Sequence, residues 1–278
     1  MYQIIDGKKI SQEIKDELKN KVAALKEQEK TVCLAVIQVG SDPASSVYVG
    51  NKKKACAYIG IESLSYELPE ETTEQELLEL VQKLNADDKV NGILVQLPLP
   101  RQINEEKVIQ TIAPEKDVDG FHEKNVGALC VGSKGYVSCT PLGIIQLLKR
   151  SGIEIAGKHC VVIGRSNIVG KPMAMLLLRE NGTVTVCHSR TRNLKEITRQ
   201  ADILVVAVGK PKFVDDSYIK EGAVVIDVGI HRNENNKLCG DVDFEKVAPH
   251  TSAITPVPGG VGPMTIAMLM YNCVSAVE

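Results

Sequence analysis

The segment His159–Arg179, HCVVIGRSNIVGKPMAMLLLR, constrains the fold more than any other stretch. Its apolar opening, His159–Ile163 with two adjacent valines, predicts a buried strand. A turn with Gly164, Ser166 and Gly170 follows. Pro172 falls where the first turn of a helix tolerates proline, because that turn has no backbone hydrogen bond to lose. Met173–Leu178 is apolar all round, which predicts a buried helix, and Asn181-Gly182 supplies its stop. A glycine turn between strand and helix aims free backbone N–H groups, and the positive end of the helix dipole, at one spot that suits a phosphate.

The rest of the chain repeats the strand–helix alternation. Ser11 is expected to cap a first helix, with Ile14, Leu18, Val22 and Leu25 on one face. Strands are predicted at Thr31–Val39, Ile61–Leu68 and Val90–Leu97, with helices at about 44–59, Thr73–Leu84 and Glu105–Ile112. In the Thr73–Leu84 helix, Leu77, Leu80, Val81 and Leu84 face inward. The stretch 114–143 is irregular and Gly-rich, and loops of this kind at strand ends are where α/β folds keep their sites. A helix over Pro141–Lys149 joins the halves. The second half predicts strands at His159–Ile163, Thr183–Cys187, Ile203–Val208, Ala223–Val228 and Leu238–Val242, with a helix at Leu194–Arg199. Pro256–Pro263 reads as a constrained loop and Thr265–Val277 as a last amphipathic helix. The fold class is therefore α/β: two α/β domains across a cleft, the second Rossmann-type with a mainly parallel sheet.

Composition excludes several partners. The net charge is −2 and aromatics are 4% with no Trp, so nucleic acid and anionic membranes are not favoured. Apolar runs are too short for a membrane span, and residues 1–11 carry no signal core, so a cytoplasmic protein is expected. The eight cysteines form no CxxC pair and read as reduced, buried apolar residues. Histidine spacing suggests no metal site.

The phosphate carrier follows from the next strand. In NAD-binding units an acidic residue about 20 positions on takes the ribose hydroxyls. Here the strand end reads Cys187-His188-Ser189-Arg190-Thr191, with no acid. Ser189, Arg190 and Arg165 suit a 2′-phosphate instead, which points to NADP. The alternative is that Arg190 and Arg192 merely line a solvated loop.

A second constellation lies on the helix at about 44–59. Ser45, Tyr48 and Lys52 share one stripe at spacing i, i+3, i+7. A Tyr-x-x-x-Lys pair can share a proton-transfer network, although spacing alone favours an exposed polar pair. Gln96 lies at an apolar strand end, where an amide needs a partner. Asp117 and Asp119 fall in a loop expected at the same sheet edge.

With these residues assembled, the chain resembles the bifunctional methylenetetrahydrofolate dehydrogenase/methenyltetrahydrofolate cyclohydrolases. The resemblance spans the chain. It rests on Tyr48-Val-Gly-Asn-Lys52, VQLPLP at 95–100, PEKDVDGF at 114–121, Cys139-Thr-Pro, GRSNIVGKP at 164–172, DVGI at 227–230 and TPVPGGVGPMT at 255–265. It implies oxidation of 5,10-methylenetetrahydrofolate to the methenyl form with NADP, then hydrolysis to 10-formyltetrahydrofolate. Lys52 would be the catalytic lysine, with Tyr48, Gln96 and Asp119 as its catalytic partners. The folate would meet Ser45, Tyr48, Lys52, Gln96, Leu97, Asp119, Pro258, Gly259 and Gly260. NADP would meet Gly164, Arg165, Ser166, Ile168, Gly170, Pro172, His188, Ser189, Arg190, Val208, Gly209, Ile230 and Thr265. By the same resemblance, residues 1–139 with 264–278 form the folate-binding catalytic domain, 140–263 the NADP-binding domain, and the protein is a homodimer.

The chemistry is consistent with that assignment. Lysine acts as a base only in its neutral form, which burial, the adjoining Lys53 and Lys54, and a cationic intermediate all favour. Hydride transfer needs placement rather than a protein acid or base. Two rivals share parts of the pattern: a shikimate dehydrogenase-like enzyme with a Lys–Asp pair, and a non-catalytic NADP-binding sensor.

Overall fold

The computed structural model describes the backbone of all 278 residues and every side chain except those of Pro43 and Ala44. In chain order the elements are Gln3–Ile4 (β1), Gly7–Glu27 (α1), Cys33–Val39 (β2), Pro43–Ile59 (α2), Glu62–Leu68 (β3), Glu74–Asn85 (α3), Gly92–Val95 (β4), Glu105–Thr111 (α4), Glu123–Val131 (α5) and Cys139–Arg150 (α6). They continue with His159–Ile163 (β5), Gly170–Arg179 (α7), Thr183–Cys187 (β6), Leu194–Thr198 (α8), Ile203–Val206 (β7), Ala223–Asp227 (β8), His231–Arg232 (β9), Leu238–Cys239 (β10), Phe244–Val247 (α9), Thr251–Ile254 (β11) and Val261–Ser275 (α10). The chain forms two compact units. The Lys52 unit comprises Glu13–Cys139 and Ile266–Glu278, and the Gly164 unit comprises Met1–Gln12 and Thr140–Thr265.

The Lys52 unit is built on a three-stranded parallel sheet in the order β3-β2-β4. Every residue of the central β2 is buried, as a strand covered on both faces must be. Asp42 caps α2 by accepting the Ser45 N–H at 2.8 Å, and Gly60 ends the helix in the left-handed region at φ +92. Thr73 and Glu76 form a reciprocal capping box on α3. Leu77, Val81 and Leu84 of α3 pack with Ile37 and Ile93. The fourth buried α3 position is Leu78 rather than Leu80, which lies only partly inside.

The Gly164 unit holds a six-stranded parallel sheet in the order β1-β11-β8-β7-β5-β6. After β1, which takes the edge beside β11, the chain returns at β5, adds β6 on one side and then β7, β8 and β11 on the other. The direction of winding therefore reverses between β5 and β7, where open α/β sheets bind ligands beyond the carboxyl ends of the strands. Helix α7 closes with a Schellman arrangement: Gly182 N–H reaches Leu177 O at 2.9 Å, Asn181 N–H reaches Leu178 O at 3.0 Å, and Asn181 has φ +64.

Ser11 does not cap α1, which begins four residues earlier. Asp6 does so by accepting the Lys9 N–H at 3.0 Å, while Ser11 Oγ donates to Lys8 O at 2.9 Å inside the helix. Residues 1–12 belong with the Gly164 unit, because β1 pairs with β11 and extends its sheet. Strand β7 stops at Val206 and β10 at Cys239, short of the predicted ends, because the N–H groups of Val208, Asp241 and Val242 turn to carboxylates. Helix α10 is not amphipathic: Met264, Ala267, Met268, Leu269, Met270, Cys273 and Val274 are all buried. In α7, Leu178 is exposed, so that helix is not buried all round. All eight cysteines are free thiols; Cys130 is exposed.

Candidate active site

Lys52 sits in the middle of α2 and is only 8% exposed. Its Nζ donates to Gln96 Oε1 at 2.9 Å. Gln96 follows the end of β4, where its backbone N–H continues the sheet to Ile37 O at 2.8 Å. Its Nε2 donates to Leu97 O at 2.7 Å, which settles the amide orientation and turns the oxygen to the lysine. The exposed polar pair is thus not what the structure holds at Lys52. Tyr48, one helical turn earlier, is half-buried, and burial pushes its phenol up from the ordinary value. Ser45 is buried in the first turn of α2. The neighbouring lysines do not crowd Lys52 as expected: Lys53 pairs with Glu67 at 2.8 Å and Lys54 is exposed.

Asp119 arrives by a different route. The chain at 116–118 runs beside β4, with Ile93 bridged in parallel to Asp117. Gly92 gives it room, since a Cβ there would stand 2.7 Å from Val118 Cγ1. The buried Asp117 accepts the His122 N–H and Asn125 Nδ2, both at 2.8 Å, and fixes the turn. Gly120, at φ +73, completes it. Burial pushes the Asp119 carboxyl up, opposed by the charge of Lys52 and by the thiol of Cys139. Cys139 Sγ lies 3.8 Å from Asp119 Oδ1 and 3.5 Å from Val118 O. Burial, reinforced by the Asp119 charge, holds that thiol well above its ordinary value, so it is a donor. Asn272 Nδ2 of α10 ties Val118 O and Val137 O together at 2.8 and 3.0 Å. The sequence marks Cys139 only through its Cys-Thr-Pro motif and does not single out Asn272. A lone amide in the apolar run of α10 was the available signal, by the reasoning that singled out Gln96.

In the Gly164 unit the candidate cofactor residues gather at the carboxyl ends of the strands. Arg165, Ser166 and Ile168 are exposed in the turn after β5. Gly170 must be glycine, because a Cβ there would stand 2.3 Å from Gly164 O. Gly164 must be too, at φ +135 and with Ala207 O 2.3 Å from where its Cβ would stand. The expected cradle of free N–H groups is partly filled. Ser166 Oγ accepts from Val169 and Gly170 at 3.2 and 3.3 Å, and Ser166 O accepts from Lys171 at 3.0 Å. Pro172 has no N–H and is buried in the first turn of α7. His188 shapes the turn after β6: its N–H donates to Thr191 Oγ1 and its Nδ1 accepts the Arg190 N–H. Ser189 and Arg190 are exposed there, and Ile230 is exposed beyond β8. Thr265 lies in α10, its hydroxyl 2.8 Å from that of Thr140. Pro258, Gly259 and Gly260 lie in this unit rather than with Lys52, and Gly259 O accepts the Lys8 N–H at 3.0 Å.

Two buried carboxylates stand behind these loops: Asp227, which the sequence marks only through the DVGI motif, and Asp241, which it does not single out. Asp241 accepts the N–H groups of Val208, Gly209 and Lys210 at 2.7, 3.0 and 2.9 Å, and His231 Nε2 lies 2.7 Å from its Oδ1. Asp227 accepts those of Gly229, Asp241 and Val242 at 2.9–3.0 Å. Burial pushes the Asp227 carboxyl up to about 7, against the three N–H groups that favour its charge.

Residues 5–119 match the tetrahydrofolate dehydrogenase/cyclohydrolase catalytic domain, and residues 138–278 match the NAD(P)-binding domain of the same family. The chain belongs to the tetrahydrofolate dehydrogenase/cyclohydrolase family. It is 73% identical over 274 residues to the bifunctional protein FolD of Lachnoclostridium phytofermentans, covering 99% of this chain and 97% of that one. The crystal structure of the bifunctional enzyme FolD, methylenetetrahydrofolate dehydrogenase/cyclohydrolase, from Campylobacter jejuni superposes with a TM-score of 0.98 at 52% identity, covering 100% and 99%. The Trypanosoma brucei dehydrogenase-cyclohydrolase, solved with NADP cofactor and inhibitor, gives 0.94 at 39% identity, covering 99% and 97%.

The residues of this family member suit an NAD(P) ligand. The contacts between Gly164, Gly170 and Ala207 leave no room for side chains. Exposed Arg165, Ser189 and Arg190 stand at the two turns that flank β5 and β6 and could hold an extra phosphate.

Proposed function

We propose that the chain is a bifunctional one-carbon enzyme that oxidises 5,10-methylenetetrahydrofolate to the methenyl form with NADP and hydrolyses that product to 10-formyltetrahydrofolate. The observation that carries the reading is the buried Lys52 held by Gln96, with Asp119 close enough to feel its charge. The Lys52 unit takes the folate, with Asp119 gripping the pterin ring through its carboxylate and Tyr48 lining the same stripe of α2. Arg165, Ser189 and Arg190 take the 2′-phosphate. Bound there, NADP would supply the hydride acceptor for the folate carbon.

Lys52 serves the second step. Water adds to the methenyl carbon, and Lys52 takes the proton that the water releases. The ring nitrogen then leaves with a proton, and the formyl group remains on the other nitrogen. A neutral amide suits this role better than a carboxylate would. Gln96 accepts a Lys52 N–H and so aims the nitrogen, yet forms no ion pair that would hold its proton. Eight free thiols fit a reducing compartment, and the protein is assigned to the cytoplasm. It acts as a homodimer joined through the Gly164 unit, whose edge strand β6 exposes Val186. Sedimentation at micromolar concentration tests the dimer. A paired assay tests the activity: dehydrogenase with NADP and with NAD, and loss of methenyl absorbance without nucleotide. Nucleotide binding without turnover of either folate would establish the sensor instead.

A further inference from the structure

The turn at 207–210 leaves β7 at the winding reversal, beside the glycine turn at 164–170. Its N–H groups do not face outward. Those of Val208, Gly209 and Lys210 all end on the Asp241 carboxylate, which has no exposed surface. In a planar trans peptide the N–H of one residue points opposite to the carbonyl of the residue before it. The carbonyls of Ala207, Val208 and Gly209 therefore point away from Asp241. Ala207 O agrees, since it is the atom nearest to where a Gly164 Cβ would stand. The turn thus offers a ligand acceptors, not donors.

Asp241 is itself built in. Its Oδ1 meets His231 Nε2 at 2.7 Å, and its own N–H is held by Asp227 at 2.9 Å. Neighbouring glycines are obligatory: a Cβ on Gly240 would stand 1.8 Å from Asp227 Oδ2, and one on Gly229 would stand 2.4 Å from Asp241 N. We propose that Asp241, steadied by His231, is a positioning residue for the dinucleotide. It rotates the 207–210 turn so that the carbonyl oxygens of Val208 and Gly209 accept from N–H or O–H groups of the bound cofactor. This rests on the reading of the Gly164 unit as the NADP site.

The test is NADP affinity by titration calorimetry, alongside hydrolysis of methenyltetrahydrofolate without nucleotide. Asp241→Asn turns an amide N–H toward backbone donors and should weaken NADP binding about tenfold or more. His231→Leu removes the imidazole partner and should weaken it about threefold or more, whereas His231→Gln keeps a donor and should stay within about twofold. Nucleotide-free hydrolysis should stay within about twofold in all three, which a general loss of structure would not allow. Unchanged NADP affinity in Asp241→Asn and His231→Leu overturns the proposal, as does His231→Gln binding as weakly as His231→Leu. If Asp241→Asn does not fold, the two His231 variants decide. Failure of the unaltered protein to bind NADP would sink the underlying reading before any variant is made.

Discussion

Lys52 and Gln96, on α2 and just past β4, are joined by a 2.9 Å hydrogen bond whose direction is settled by a second bond, from Gln96 Nε2 to Leu97 O. The lysine therefore meets an amide oxygen and not an amide nitrogen. Lys52→Met removes the proposed proton carrier and should lower the cyclohydrolase about a hundredfold or more, with a smaller loss of dehydrogenase, because hydride transfer needs no base. Gln96→Glu converts the hydrogen bond into an ion pair that holds Lys52 protonated, and should also suppress hydrolysis. Separate initial rates for the two reactions check both variants; equal retention of both activities in Lys52→Met contradicts the assignment.

On the proposed reading, cofactor choice depends on the exposed cations and hydroxyl at the turns after β5 and β6. Arg165→Ala should cut kcat/KM with NADP by about ten- to a hundredfold, the worth of a charge-assisted contact, and leave NAD nearly unaffected. The ratio of the two specificity constants measures this. A preference for NAD in the unaltered protein would remove the reading of Ser189 and Arg190.

How much of this was legible in the sequence depended on range. Gln96 could be singled out because a polar side chain at an apolar strand end must find a partner, and Lys52 supplied it. The His159–Arg179 unit could be read because strand, turn and helix are contiguous. Asp241 could not: it serves a turn 31 to 33 positions away, and nothing local marks a carboxylate as a receptor for distant N–H groups. Strand β1, two residues long, carries no periodicity and exists through its pairing with β11. The partly filled N–H cradle at α7 was hidden for the opposite reason. The sequence marks Ser166 as a ligand for the cofactor, and in the fold its Oγ also accepts the Val169 and Gly170 N–H groups at the start of α7.

Gly170 makes the packing of that turn testable. A Cβ there would meet Gly164 O at 2.3 Å, Gly164 C at 2.5 Å and Arg165 Cα at 2.7 Å, all backbone atoms that cannot swing aside. Gly170→Ala should destabilise by roughly 1–3 kcal/mol and lower Tm by about 2–10 °C. NADP should bind more weakly as well, because Arg165 must shift. Gly127, inside α5 with nothing within 4 Å of a Cβ, is the control; Gly127→Ala should hold or raise Tm by about 1–3 °C. Calorimetric scans of the two variants decide, and an equal response at both positions would refute the steric argument.

Asp227 predicts the direction of a pH dependence. Burial raises its carboxyl to about 7, while the unfolded chain titrates near the ordinary aspartate value. Between those limits the folded protein binds the extra proton, so the contribution of this group to stability is greatest in acid and is lost as pH rises through about 4 to 7. Asp117, raised by burial to about 6, acts in the same direction. Asp227→Asn cannot ionise, so the Tm advantage of the unaltered protein over this variant should shrink from pH 5 to pH 8. An advantage that grows over that interval would mean that the N–H groups of Gly229, Asp241 and Val242 outweigh desolvation and hold the carboxylate charged. Scans at half-unit intervals in buffers of constant ionic strength distinguish the two outcomes.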